Sequence, residues 1–174
     1  MPSRVLDPCT IVRAQSWDMR APTPARVNQD LELTWPRTVG GVSSGRVDVL
    51  CIGPTDWLVI TSDPDPEPLL RILHDGFRGS AFRATNVSSA LSRIRIGGPN
   101  SRTLLSKGCS LDLNLQMFPP QRSARTRLAD MPVVIRCTEP MTFECIASSS
   151  LLDHLLAWIG DAELEFSETA RVED

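Results

Sequence analysis

Val47–Asp75 reads VDVLCIGPTDWLVITSDPDPEPLLRILHD, and Val133–Asp161 reads VVIRCTEPMTFECIASSSLLDHLLAWIGD. Shifted by 86 residues, the first falls on the second without a gap. Pro54 meets Pro140, Trp57 meets Phe143, Ile60 meets Ile146 and Ser62 meets Ser148. Leu69 and Leu70 meet Leu155 and Leu156, and Asp75 meets Asp161. Each copy reads as strand, turn, strand, loop and helix. Hydrophobic patterning alone makes ββα units resemble one another. Gapless agreement at half the chain length favours an internal duplication instead. Two ββα-containing halves give an α+β fold of split-βαβ or ferredoxin-like character.

The remaining elements follow outward from these copies. Val47–Ile52 and Trp57–Thr61 read as strands around the turn Gly53–Asp56, and DPDPEP opens a helix over Pro66–His74. Phe82–Val87 and Leu91–Ile96 are two more strands. In the second, Ile94 and Ile96 enter the core while Arg93 and Arg95 share the other face. Asn100–Lys107 is a helix stopped by Gly108. Ser123–Leu128, Val133–Cys137 and Thr142–Ala147 read as strands, and the last helix runs from Ser149 to Ile159. Its apolar stripe is Leu151, Leu152, Leu155, Leu156 and Ile159. Leu164–Phe166 is expected as a final edge strand. Residues 1–45 are rich in Pro, Gly, Ser and Thr and are expected to form an extended arm. Short strands are expected in it at Cys9–Arg13 and Leu31–Thr34. Residues 46–166 make the folded domain and 167–174 a tail.

The composition narrows the function. The 174 residues suffice for one domain or two small, tightly joined halves. No apolar run approaches a membrane span, and MPSRVLDPCTIV carries no secretory leader pattern, so a cytoplasmic protein is expected. A net charge of −3 gives no general footprint for nucleic acid. Lys107 is the only lysine among 18 basic residues, and there is no tyrosine. Arginine suits buried and interface pairing better than lysine does. Cysteines 9, 51, 109, 137 and 145 show no Cys-x-x-Cys spacing and read as reduced, buried thiols. His74 and His154 sit among leucines on the expected helices, with no acidic or cysteine neighbour at metal spacing, and read as structural or surface residues.

Gly97-Gly98-Pro99 follows a strand and precedes a helix, the setting of a phosphate loop. It lacks the third glycine of a dinucleotide fingerprint, and Lys107 comes too late for a P-loop. Pro99 withholds an N–H and suits the first position of a helix. Lys107 then faces the negative end of that helix. The stretch reads as a structural corner.

The segments GPTDWL (Gly53–Leu58), VSSALSRIRIGGPNSRTLLSKGCSLDL (Val87–Leu113), FPPQRSARTRL (Phe118–Leu128) and LLDHLLAWI (Leu151–Ile159) together resemble the gamma subunit family of bacterial heterotetrameric sarcosine oxidase. The resemblance runs from about Gly45 to Phe166. Its most specific part is the Leu-x-Lys-Gly-Cys-x-x-Asp-Leu block with the Phe-Pro-Pro and Ala-x-Thr-Arg-Leu that follow. That family is similar to the folate-binding fold of the glycine cleavage T protein, in agreement with the duplication. The resemblance implies an enzyme complex that oxidatively demethylates sarcosine to glycine. The one-carbon unit leaves as formaldehyde or is captured on tetrahydrofolate, and hydrogen peroxide forms. It implies FAD, FMN, NAD, zinc and tetrahydrofolate on the alpha, beta and delta subunits. It implies no cofactor, metal or catalytic residue in this chain, which packs chiefly against alpha. A stand-alone folate-binding or one-carbon transfer protein, and a gamma subunit of a related N-methyl amine oxidase or dehydrogenase, are the alternatives.

The features left over lie on the surface. Arg93 and Arg95 share a strand face, Arg122, Arg125 and Arg127 lie close together, and Arg125 and Arg127 share a face if 123–128 is a strand. They are either solvated strand arginines or anchors of a subunit interface, where arginine is enriched. Trp17 and Trp35, in the arm, are further candidate contacts.

Overall fold

The computed structural model describes residues 3–18 and 24–172. The chain divides into two units, Met1–Leu6 with Ala90–Asp174, and Asp7–Ser89. The first short strand, β1 (Arg4–Val5), belongs to the former. In Asp7–Ser89 the order is β2 (Thr10–Ser16), α1 (Ala25–Asp30), β3 (Val42–Ser44), β4 (Asp48–Gly53), β5 (Asp56–Thr61), α2 (Glu67–Gly76) and β6 (Phe82–Asn86). From Ala90 onward it is β7 (Leu91–Gly97), α3 (Ser101–Ser106), β8 (Arg122–Leu128), β9 (Met131–Glu139), β10 (Thr142–Ser148) and α4 (Leu152–Val172).

Each unit is one antiparallel sheet with its helices on one face. The sheet orders are β3-β4-β5-β2-β6 and β8-β9-β10-β7-β1. The two orders are the same once β4, β5 and β2 are matched with β9, β10 and β7. A single difference remains. β6 follows α2 in the chain and pairs with β2, whereas β1, from the N-terminus, takes the matching place beside β7. β5 and β6 run parallel to each other with β2 between them, which is the split βαβ arrangement. The α+β duplication expected from the sequence is therefore present.

The likeness reaches individual backbone pairs. Cys51 lies opposite Trp57, then Gly53 opposite Asp56, so Ile52 is an extra residue on its strand. Cys137 lies opposite Phe143, then Glu139 opposite Thr142, leaving Thr138 extra. Both are β-bulges beside a two-residue turn that begins with proline. The Cys51 thiol donates to the Gly53 carbonyl at 3.2 Å, and the Cys137 thiol donates to the Glu139 carbonyl at 3.1 Å. The cysteines are matched in the sequence pairing too, and their shared role shows only in the fold.

Alternation sets the cores. Val49, Cys51, Trp57 and Val59 face Val27, Leu69 and Leu73 of the helices in one unit. Val133, Ile135, Cys137, Phe143 and Cys145 face Leu104, Leu105, Leu155 and Ile159 in the other. Ile94 and Ile96 enter this second core, as their period-2 spacing requires.

Four expectations are corrected. Residues 1–45 are not an extended arm: β2 is paired on both sides, by β5 and β6, and Ile11, Val12 and Ala14 are buried. The strand expected at Cys9–Arg13 is present as β2, but inside a sheet and not on an arm. No strand covers Leu31–Thr34. Instead α1 carries Val27 and is followed by its C-cap Leu31, four residues on, and both are buried. Leu164–Phe166 is helical: α4 continues through Gly160 and beyond it. The stripe extends through Ala162 to Phe166 against the core, and the tail of 167–174 continues this helix as far as Val172. Pro99 precedes Asn100, the N-cap of α3, so it is not the first helical residue.

Gly108 ties the end of α3 to α4. A Cβ there would lie 2.5 and 2.8 Å from two ring carbons of Trp158 and 3.0 Å from the Ala129 nitrogen. Gly108→Ala is expected to cost about 1–3 kcal/mol, the usual range for overpacking a filled site. A thermal melt that matches the parent would show that Trp158 moves aside freely.

Candidate subunit interface

The residues singled out from the sequence divide into internal and surface groups. Trp35 is buried, and its ring meets Trp57 and Phe77 edge-on at 5.7 Å each. Trp57 Nε1 donates to the Pro36 carbonyl at 2.7 Å, so this segment closes the core of its unit. Trp35 is thereby removed from the candidate contact residues. Trp17 is exposed.

Arg93 and Arg95 do share one face of β7, opposite the isoleucines, and both meet carboxylates there. Arg93 donates to Glu144 at 2.8 Å, and Arg95 lies 3.8 Å from Glu139. Arg136, across the β9–β10 ladder, holds the second oxygen of Glu144. The anchor reading of Arg93 is therefore corrected: its guanidinium is spent on an internal, largely buried cluster. Sequence reasoning missed Glu144 and Arg136. Their signal was alternation, since Thr142, Glu144 and Ile146 occupy the face of β10 away from the helices.

Arg122, Arg125 and Arg127 are exposed on β8, which is an edge strand. Arg125 and Arg127 share a face with Ser123, and Arg122 lies on the other. Arg127 donates to the Asp130 carbonyl at 2.6 Å. These three, with Arg95 and Trp17, remain as surface candidates.

The glycine corner is structural in its details. Gly98 has φ +116°, its N–H donates to the Met141 carbonyl at 3.0 Å, and its own carbonyl accepts from Ser101. A helix of six residues follows. Lys107 does not lie along the end of α3. Its Nζ reaches α4, donating to the Ala162 carbonyl at 2.9 Å and pairing with Glu165 at 2.5 Å over the Phe166 ring.

Arg102 was not foreseen as a key residue. Its Nε donates to the Pro140 carbonyl at 2.9 Å, and its Nη1 donates to the Leu113 carbonyl and to the Phe118 carbonyl at 3.2 Å. It also lies 4.9 Å over the Phe143 ring. One guanidinium thus pins the loop between α3 and β8 to the β9–β10 turn.

Three of the thiols are poor nucleophiles. Burial pushes the Cys51, Cys137 and Cys145 thiols up, Cys145 most, and all three stay protonated at neutral pH. His74 Nε2 lies 3.3 Å from the Ala84 carbonyl, a structural contact, and His154 is exposed. Among the described residues there is no group of three or more His, Cys, Asp or Glu able to hold a metal ion. No helix among them is long and apolar enough to cross a membrane.

Comparisons with known proteins agree with one another. The family model described as sarcosine oxidase, gamma subunit family matches residues 17–165. The sarcosine oxidase subunit gamma of Corynebacterium sp. (strain U-96) is 30% identical over 135 residues, which make up 76% of this chain and 64% of that protein. The chain therefore spans just under two thirds of the length of this relative. A chain of the heterotetrameric sarcosine oxidase from Corynebacterium sp. U-96, solved with pyrrole 2-carboxylate, superposes with a TM-score of 0.86 at 25% identity. The match covers 95% of this chain and 84% of that one. The glycine cleavage system aminomethyltransferase T from Bartonella henselae aligns at a TM-score of 0.61 and 9% identity, over 89% of this chain and 45% of that one. This last likeness is one of fold alone.

Proposed function

Because the chain belongs to the sarcosine oxidase gamma subunit family, we propose that it is the non-catalytic gamma subunit of a heterotetrameric, cytoplasmic sarcosine-oxidising complex. In that complex it packs chiefly against the alpha subunit and stabilises it. The complex oxidatively demethylates sarcosine to glycine, passes the one-carbon unit to tetrahydrofolate and forms hydrogen peroxide. FAD, FMN, NAD, zinc and folate sit on the other subunits. The observation that carries this reading is the match over 95% of the chain to a chain of a heterotetrameric sarcosine oxidase. The chemistry of the chain supports it. Burial raises the Cys51, Cys137 and Cys145 thiols, Arg93 and Arg136 are committed to Glu144, and the Gly98 N–H of the glycine corner donates to the Met141 carbonyl. The exposed arginines of β8, with Arg95 and Trp17, are proposed to contribute to contacts with the other subunits.

Co-expression with the large and medium subunits encoded beside it tests this reading. The chain is expected to co-purify stoichiometrically, and sarcosine-dependent peroxide formation should fall without it only as far as the complex itself falls apart. Failure to co-purify, or tetrahydrofolate binding by the chain alone in a calorimetric titration, overturns it.

A further inference from the structure

We infer that the chain consists of two successive repeats that exchange their first strands, and that β1 is a strap by which the N-terminus completes the sheet of the later repeat. The α-helices and strands run in one order twice. Residues 4–76 give β1, β2, α1, β3, β4, β5 and α2, and residues 82–172 give β6, β7, α3, β8, β9, β10 and α4. In this order β1 matches β6. Yet β1 pairs with β7, the second strand of the later repeat, and β6 pairs with β2, the second strand of the earlier one. Each sheet therefore takes four strands from its own repeat and one from the other.

The match extends to single residue pairs. Ala14 lies opposite Trp57 and Ile96 opposite Phe143, two residues matched in the duplicated hairpins, so Val12 corresponds to Ile94. Val12 lies opposite Asn86, and Ile94 lies opposite Val5. One residue on, the Val87 N–H donates to the Ile11 carbonyl at 2.8 Å, and the Leu6 N–H donates to the Arg93 carbonyl at 2.9 Å. Two strands from distant places in the chain thus make the same ladder, in the same direction and register. The links that follow them match as well. Residues 6–9 lead to β2 and residues 87–90 to β7, four residues in each.

Two strands joined by so short a link ordinarily fold back on each other as a hairpin. That hairpin would set β1 against β2, in the place that β6 holds. Asp7-Pro8 opposes it, because proline fixes its own φ and drives the residue before it towards an extended conformation. Neither link closes a hairpin, and each first strand passes to the other sheet. This is the connectivity of a domain swap, made within one chain. The Ser3 N–H fastens the strap to α4, donating to Glu163 Oε1 at 3.0 Å. Without β1, β7 would be a bare edge strand beside β10, with a row of unpaired backbone groups.

Backbone hydrogen exchange of the full chain tests this. In the parent chain the Leu6 amide is expected to open together with the amides of β7, and the Val87 amide with those of β2. Two variants cross the assignment. Leu6→Pro removes the N–H that reaches Arg93, and Val87→Pro removes the N–H that reaches Ile11. Leu6→Pro should quicken exchange in β7 by about 10-fold or more and in the β2–β5 ladder by less than about 2-fold, and Val87→Pro should do the reverse. The inference is overturned if each variant loosens the strand that follows it in the sequence, or if either loosens both sheets equally. Should a variant fail to fold, the parent chain decides: a Leu6 amide that opens with β2 and independently of β7 overturns the inference.

Discussion

Glu144→Ala is expected to lower the stability of the chain by about 3–5 kcal/mol, the cost of removing one partner from a buried ion cluster. The Glu144 side chain is 3% exposed, Arg136 10% and Arg93 16%. The carboxylate sits between two guanidinium groups. One comes from the strand directly opposite, where Glu144 faces Arg136, and one comes diagonally from β7. Water cannot replace the lost charge at such depth, and the two cations then repel each other. Replacing all three residues together by apolar side chains of similar volume is expected to recover most of the loss, because the desolvation cost of the ions disappears with them. Urea denaturation followed by tryptophan fluorescence measures both variants. An unchanged midpoint for Glu144→Ala would mean that the cluster is solvated in the native protein.

Phe143→Ala is expected to cost about 3–5 kcal/mol, the range for deleting a buried aromatic ring. Phe143 is fully buried in the core between its sheet and helices, and its ring lies 6.4 Å from that of Phe118. The ring is also the platform under Arg102. Its loss should therefore loosen the loop that Arg102 holds, in addition to leaving a cavity. Hydrogen exchange at Met117 and Phe118, whose N–H groups bond to Asn114, should quicken beyond the change at the β8–β9 ladder. Equal acceleration in both places would show that Arg102 keeps its grip without the ring.

The duplicated stretches were the most legible part of the chain. Gly-Pro and Glu-Pro turns between runs of alternating apolar residues specify a hairpin through local sterics and period-2 burial, and nothing distant is needed to read them. The same holds for Ile94 and Ile96, and for the stripe through Leu155 and Ile159. In the N-terminal region the strand at Cys9–Arg13 was legible, but its place inside a sheet was not, because its sequence neighbours are Pro- and Ser-rich. β2 exists because β5 and β6 offer it two ladders, and neither adjoins it in the sequence. The end of α4 was misread for a similar reason. Leu164–Phe166 alternates like a strand, but Phe166 and the Lys107–Glu165 pair hold it as helix.

Among the surface candidates, Arg93 and Trp35 could not be separated from Arg122, Arg125 and Arg127 by residue type. Only the partner at the far end of each side chain distinguishes them. Glu144 lies 51 residues from Arg93, and Phe77 lies far along the chain from Trp35.

By itself the sequence determined the α+β class, the two ββα copies with their hairpins, and the family, because each rests on patterns within a few residues or on a matching run. The tertiary structure alone decided that β1 completes the second sheet and β2 lies inside the first. It alone decided that Glu144 absorbs two arginines and that Arg102 ties the carbonyls of Leu113, Phe118 and Pro140 together. These depend on which groups, distant in sequence, meet once water is excluded between them, and no local propensity encodes that.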